Sequence, residues 1–356
     1  MNTRKRLATA GVGVAALLAP LGFAFTTTAA EAAPVKKHNL QVYKQQASIT
    51  LDAYDPDAEF DGPALVNRKK FTVSCQKGDF AVDGTWTVDK VDDWNDDDGK
   101  HVAGDESQVY VTESVGRNGM GVNQRNIWDF SMTNLSPSRA QVTAYVVCLA
   151  DTTKGGSNPD HDLAISDRFD DGTTVVGTSD VILPLGAACP AGQISVANGW
   201  SNYGDGFEST PQIRESWPIS TAANRWQLTF RTVSDDPAAT SQVTKFHRCL
   251  TLKTLGAKNQ GAAKPHAHKL FASFDSALRS INKSEDAAVT RDCTASNAAY
   301  VSSAFSLAAA NGNAAYLGVA PRHRTNAWHY AAKVNGTQVY VGGTCLKLKT
   351  GKQVKP

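Results

Sequence analysis

The chain has 356 residues, 41% apolar and 20% charged, with a formal net charge of +2 and six cysteines. Seven Trp, nine Tyr and thirteen Phe are a stock of buried surface that excludes disorder throughout, and the length suffices for two or three domains with their own cores. So balanced a charge excludes an electrostatic pull toward nucleic acid or acidic membranes.

At the N-terminus, Arg4, Lys5 and Arg6 precede an apolar, Ala- and Gly-rich run over residues 7–25, and Ala30-Glu31-Ala32 is a cleavage site of small residues. Residues 1–32 are therefore expected to be a signal peptide for the general secretory route. The product is expected to be secreted, either free or retained non-covalently at the cell surface. Cleavage leaves 33 basic and 33 acidic side chains.

Residues 39–51 alternate and are rich in Val, Tyr, Ile and Thr, which predicts an extra N-terminal strand. Cys75 then opens a pattern: a short apolar strand, Phe80-Ala81-Val82, then Trp86, then loops, then Asn126-Ile127-Trp128, Gln141-Val142 and Cys148-Leu149. The pattern returns twice. Cys189 leads to Ile194-Ser195-Val196, Trp200, Asn224-Arg225-Trp226, Gln242-Val243 and Cys249-Leu250; Cys293 leads to Ala299-Tyr300-Val301, Phe305, Asn326-Ala327-Trp328, Gln338-Val339 and Cys345-Leu346. The step from Gln to Cys is seven residues in every copy, whereas the step from Trp to Gln is 13, 16 and 10, as for fixed strands joined by a loop of free length.

After each Asn-x-Trp every second residue is apolar (Trp128, Phe130, Met132; Trp226, Leu228, Phe230; Trp328, Tyr330, Ala332), so each is read as a strand with one buried and one wet face. Val142, Val243 and Val339 lie six residues before a Cys and share its face, which puts the sulfurs in the core. Of the fifteen connectivities open to six cysteines, the repeat selects Cys75–Cys148, Cys189–Cys249 and Cys293–Cys345, each joining the first and last strands of its module. Free thiols and a metal site are the rival readings, disfavoured by export and by the lack of Cys-x-x-Cys.

The fold class expected is all-β: three tandem, disulfide-bracketed, β-sandwich-like modules after the signal peptide, over residues 33–153, 154–256 and 257–356. Residues 151–160 and 257–265 read as linkers, residues 162–176 and 269–281 as further strands ahead of the cysteines, and 271–281 as the one stretch open to a short helix. The group Cys189-Pro190-Ala191-Gly192, Ser216-Trp217-Pro218, Asn224-Arg225-Trp226 and Cys249 resembles a repeat of secreted actinobacterial and phage-tail-associated proteins, in which an opening Cys-Pro-x-Gly and a closing Cys bracket a small β-sandwich. The other copies share only Asn-x-Trp and the bracketing cysteines. The resemblance implies an extracellular, non-catalytic module and carries over no active site.

There is no Gly-x-Ser-x-Gly, no His-Glu-x-x-His and no phosphate loop, so no enzyme is expected. None of the eight histidines recurs at an equivalent place in all three copies by this reading, and His329 falls on the polar phase of its strand. His266 and His268, beside Lys264 and Pro265 in a linker, are too few for zinc, so no metal is expected. Asp57-x-Glu59-x-Asp61-Gly62 and Asn95-Asp96-Asp97-Asp98-Gly99 depart from the calcium-loop pattern through Arg68 and Trp94 and read as solvated turns, with calcium as the alternative.

Aromatics shared by the copies, Trp128, Trp226 and Trp328 together with Trp86 and Trp200, are expected to be structural. Those specific to one copy, Trp94, Tyr203, Phe207 and Trp217, are the candidate binding residues. The function expected is multivalent, non-enzymatic binding of a cell-surface glycan or a secreted protein partner, with no nucleic acid and no membrane insertion. The alternative is a subunit of an extracellular fibre, coat or toxin-like assembly that self-assembles through its N-terminal strand.

Overall fold

The computed structural model describes residues 38–54, 68–95, 99–153, 160–186, 188–202, 210–219, 223–234, 236–256, 266–280, 287–293, 298–307, 315–324, 327–335 and 338–354. The expected signal peptide lies outside them. The first module contributes β1 (Val42–Leu51), β2 (Arg68–Ser74), β3 (Phe80–Val91), the small hairpin β4 (Trp94–Asn95) and β5 (His101–Val102), then β6 (Val109–Gly116), β7 (Ile127–Asn134) and β8 (Ala140–Leu149). The second contributes β9 (Phe169–Val176), β10 (Val181–Pro184), β11 (Gln193–Asn202), β12 (Thr210–Pro218), β13 (Trp226–Val233) and β14 (Ser241–Thr251). The third contributes β15 (Ala267–Ser280), β16 (Ala287–Asp292), β17 (Ala298–Ser306), β18 (Ala315–Arg324), β19 (Ala327–Asn335) and β20 (Gln338–Val354). The fold is all-β; among the described residues the sole helical element is a 3-10 turn at Glu106–Gln108, and no helix is long and apolar enough to cross a membrane. The segment left open to a helix is strand β15, whose residues pair with β20.

Setting the β4–β5 hairpin aside, each module has six strands that pair in one way. Its first, sixth and third strands form one half-sheet (β1-β8-β3, β9-β14-β11, β15-β20-β17), and its second, fifth and fourth form another (β2-β7-β6, β10-β13-β12, β16-β19-β18). The halves then join across modules. Strand β6 pairs with β11, β12 with β17, and β18 with β3, so three six-stranded sheets each combine two modules and the pairing closes on itself. Residues Lys36–Pro356 form one compact unit.

The closure explains why the third strands do not alternate as half-buried strands do. The first nine residues of β3 are all buried, and β11 is buried from Ile194 to Asn202. Small residues fill them just ahead of an aromatic: Gly84-Thr85-Trp86, Asn198-Gly199-Trp200 and Ser303-Ala304-Phe305. The three strands thereby approach one another, and the Trp86 and Trp200 rings from different modules meet edge to face at 5.7 Å. The fifth strands also depart from the expected wet face: Ser131, Thr133 and Thr229 are buried.

The three disulfides are those selected by the repeat, and no cysteine is free. Their placement differs from the expectation in one respect. Because an additional strand precedes each opening Cys, that Cys lies between the second and third strands, and its bond to the sixth strand staples one half-sheet to the other. Loops of 73, 60 and 52 residues are closed, each stabilising by about 4 kcal/mol through lost unfolded-state entropy. Such bonds persist in an oxidising compartment.

The Asn-x-Trp tripeptide anchors this staple. The Cys75 and Cys189 N–H groups donate to the carbonyls of Asn126 (2.8 Å) and Asn224 (2.7 Å). Trp128 and Trp226 are fully buried, and their indole N–H groups donate to Ser114 Oγ (2.9 Å) and Ser216 Oγ (2.8 Å) on the neighbouring fourth strands. In the third copy Trp328 pairs with His323 through the backbone; its side chain lies outside the described residues.

A buried carboxyl marks the boundary between modules one and three. Asp83 accepts the Ser303 N–H (2.8 Å) and the Tyr300 hydroxyl (3.3 Å), yet burial outweighs those hydrogen bonds and raises its pKa to about 7. Folding therefore takes up a proton between the unfolded value and about pH 7, and stability falls as pH rises through that window. Asp83→Asn keeps an acceptor and removes the charge. Its unfolding free energy is expected to match that of the parent near pH 4 and to exceed it at pH 8 by up to about 4 kcal/mol; parallel pH profiles would contradict this.

Candidate functional site

After each closing Cys the chain reads Cys-Leu-x-x-x-Thr, ending at Thr153, Thr254 and Thr350, and each first strand is led by His-x-Leu: His38-Asn39-Leu40, His161-Asp162-Leu163 and His268-Lys269-Leu270. The structure shows what the pattern does at both junctions between modules. The Thr153 N–H donates to the His161 carbonyl (2.9 Å) while the His161 N–H donates back to Thr153 Oγ1 (3.1 Å). Thr254 and His268 repeat the exchange at 2.9 and 2.8 Å. Single bridges, Thr152 with Asp162 and Lys253 with Lys269, continue each contact, and the Leu255 N–H donates to the Asp162 carbonyl (2.8 Å), tying one junction to the other.

Four imidazoles consequently converge. The ring centroids of His38 and His161 are 5.0 Å apart, His38 and His268 4.9 Å, and His161 and His268 4.5 Å; His266 lies 4.7 Å from His161 and 5.4 Å from His268. All four are buried, at 7, 0, 6 and 8% exposure for His38, His161, His268 and His266. Burial holds every one of these imidazoles below its ordinary pKa, and neighbouring rings push in the same direction; Asp160 opposes this for His38 and His161. His268, surrounded by the other three, is brought down to about 4. At neutral pH the cluster is uncharged, and each ring offers a nitrogen lone pair.

The expectation that no histidine recurs in all three modules is corrected here. Counted from the opening Cys, His38, His161 and His268 stand 37, 28 and 25 residues upstream, because strands and loops of different length intervene. Counted from the residue opposite the closing Cys (Tyr43, Ser166 and Ser273), each stands five residues ahead, and they are equivalent. His266 and His268, read as linker residues, sit at the head of β15.

A second group, Cys189, His247 and Cys249, offers no thiolate, since both sulfurs are in one disulfide; His247 Nδ1 instead meets Asp171 Oδ2 at 2.6 Å.

Trp94 is half-buried in the β4–β5 hairpin, with its backbone opposite Val102. Trp217 is also half-buried, near the end of β12, with its ring against Phe274 (5.1 Å) and Tyr340 (6.0 Å) of module three. Tyr203 and Phe207 lie outside the described residues, as do Asp57, Glu59, Asp61 and Asp96 to Asp98 of the acidic loops. In the chain, Trp94 and residues 203–209 each follow a third strand, whereas Trp217 lies near the end of a fourth strand. First and third strands both run antiparallel to the sixth. The imidazoles therefore lie at one end of the strands and the connections carrying Trp94, Tyr203 and Phe207 leave from the other.

Compared with known protein families and with curated proteins, the chain matches none.

Proposed function

We propose that this is a secreted, non-enzymatic interaction protein that presents three copies of one connection to a cell-surface polymer or a protein partner. The carrying observation is the closed edge-to-edge pairing of the modules. It holds the third and fourth strands that flank residues 92–108, 203–209 and 307–314 on a common frame, which supports reading these three connections as equivalent. These connections differ in length and hold the module-specific aromatics Trp94, Tyr203 and Phe207, while the aromatics common to the copies are spent on packing. A frame of this kind adds weak contacts through effective concentration and loses no rigid-body freedom between copies on binding. The disulfides suit the oxidising space outside the cell.

The test is co-sedimentation of the mature protein with insoluble cell wall or whole cells, using the triple variant Trp94→Ala, Tyr203→Ala and Phe207→Ala. Retention is expected to fall at least about tenfold with the melting temperature of the frame held. Full retention by the folded variant would remove these connections from the binding face. Pelleting of the protein without any wall would instead favour the assembly reading, although β1 is already engaged with β8 along all ten of its residues.

A further inference from the structure

We propose that His38, His161 and His268 bind one divalent ion of the zinc class, clasping the segment ahead of β1 to both junctions between modules. One ligand atom from each ring lies within 4.8 Å of those of the other two. In a tetrahedral zinc site the nitrogens are about 3.3 Å apart, so small ring rotations complete the approach.

The hydrogen bonding leaves ligand positions open inside the cluster. His161 Nδ1 faces the Leu255 carbonyl at 3.3 Å, and because a carbonyl only accepts, Nδ1 carries the proton and the Nε2 lone pair remains. That Nε2 is buried without a partner among the described residues, as are both ring nitrogens of His268. His38 Nδ1 lies 3.3 Å from the Thr153 hydroxyl, leaving Nε2 for a ligand. Carbonyl and hydroxyl groups behind the rings are the outer partners that orient histidine ligands in metal sites. A purely packed junction has no use for the buried bare nitrogens of His161 and His268; apolar side chains would fill it at lower cost.

The donor set selects the ion. Three neutral imidazoles with no carboxylate among them do not suit calcium or magnesium, which take oxygen ligands, and do suit zinc. His266 is in ring contact with His161 and His268 and lies beside the three-ligand group. With every ring at 8% exposure or less, the site is closed in the manner of a structural ion. Asp160 and Asp162 supply negative charge nearby and Lys269 a positive one.

The test is calorimetric titration of zinc into the tag-free, chelator-stripped mature protein, with thermal melts run in parallel. One ion per chain and a rise in midpoint of roughly 5 °C or more are expected at saturating zinc. His38 precedes the first strand, so His38→Ala is expected to keep the metal-free midpoint and to weaken zinc binding at least about tenfold. His101→Ala, which removes the exposed His101–Asp93 pair, is expected to bind as the parent does. Cobalt titration of the unaltered protein gives an independent readout, the visible bands of a four-coordinate, nitrogen-ligated ion. Absence of binding by the parent, or binding that survives His38→Ala unchanged, would overturn the proposal.

Discussion

Gly318→Val is expected to cost at least about 4 kcal/mol and to open the cycle of modules at one joint. Gly318 has φ +120° and is the β18 residue in register with Thr87 of β3. A Cβ there would stand 1.8 Å from the Trp86 carbonyl oxygen and 2.8 Å from Thr87 Cα. Both are backbone atoms in a buried strand, so no flexible side chain can yield; β18 must leave β3. Gly199→Val is the counterpart at the β6–β11 joint, where a Cβ would meet the Ser114 carbonyl oxygen at 2.4 Å. Chemical denaturation checks both, and a Gly318→Val protein within about 0.5 kcal/mol of the parent, the range of an ordinary surface substitution, would contradict the closure.

Arg248→Met is expected to cost about 3–5 kcal/mol, with Arg248→Lys recovering only a small part. Arg248 is 2% exposed, and its guanidinium donates to backbone: the carbonyls of Arg117 (2.7 Å), Ser166 (3.0 Å) and Gly119 (3.3 Å), with Met120 Sδ at 3.1 Å. Burial lowers its pKa to about 10, which leaves it charged at neutral pH. Two effects oppose each other on substitution. Removing a buried charge recovers its desolvation cost, and for ion pairs that gain alone often makes an apolar replacement neutral. Here the partners are carbonyls of the half-buried residues Arg117, Gly119 and Ser166, which all lose their donor at once, and that penalty dominates. Residues 117–120 belong to module one and Arg248 to module two, so the loss falls on their joint. An Arg248→Met protein as stable as its parent in urea would show that those carbonyls find other donors.

What was legible in the sequence were features carried by chemically distinctive residues at fixed spacing. The disulfide pairing followed from six cysteines and a constant step from Gln to Cys, and the buried roles of Trp128 and Trp226 from their recurrence. The joints between modules were not legible, because they pair strands distant in the chain and are made of Gly84, Gly199, Ser303 and Gly318, small residues with no apolar period. Whole stretches such as Phe80 to Val88 are covered on both faces, which erases alternation where it matters most. The imidazole cluster was hidden for a related reason. Its repeat is in phase with the first strand and out of phase with the cysteines, and the Thr-to-His steps of 8 and 14 residues conceal it. The signal that finds it is His-x-Leu set against Cys-Leu-x-x-x-Thr.

Scanning calorimetry of the intact mature protein distinguishes a closed cycle from three modules on a string. Modules whose sheets are shared unfold together, so one transition with equal calorimetric and van't Hoff enthalpies is expected. Two or three separate transitions, each matching the melt of a single module, would contradict the shared sheets.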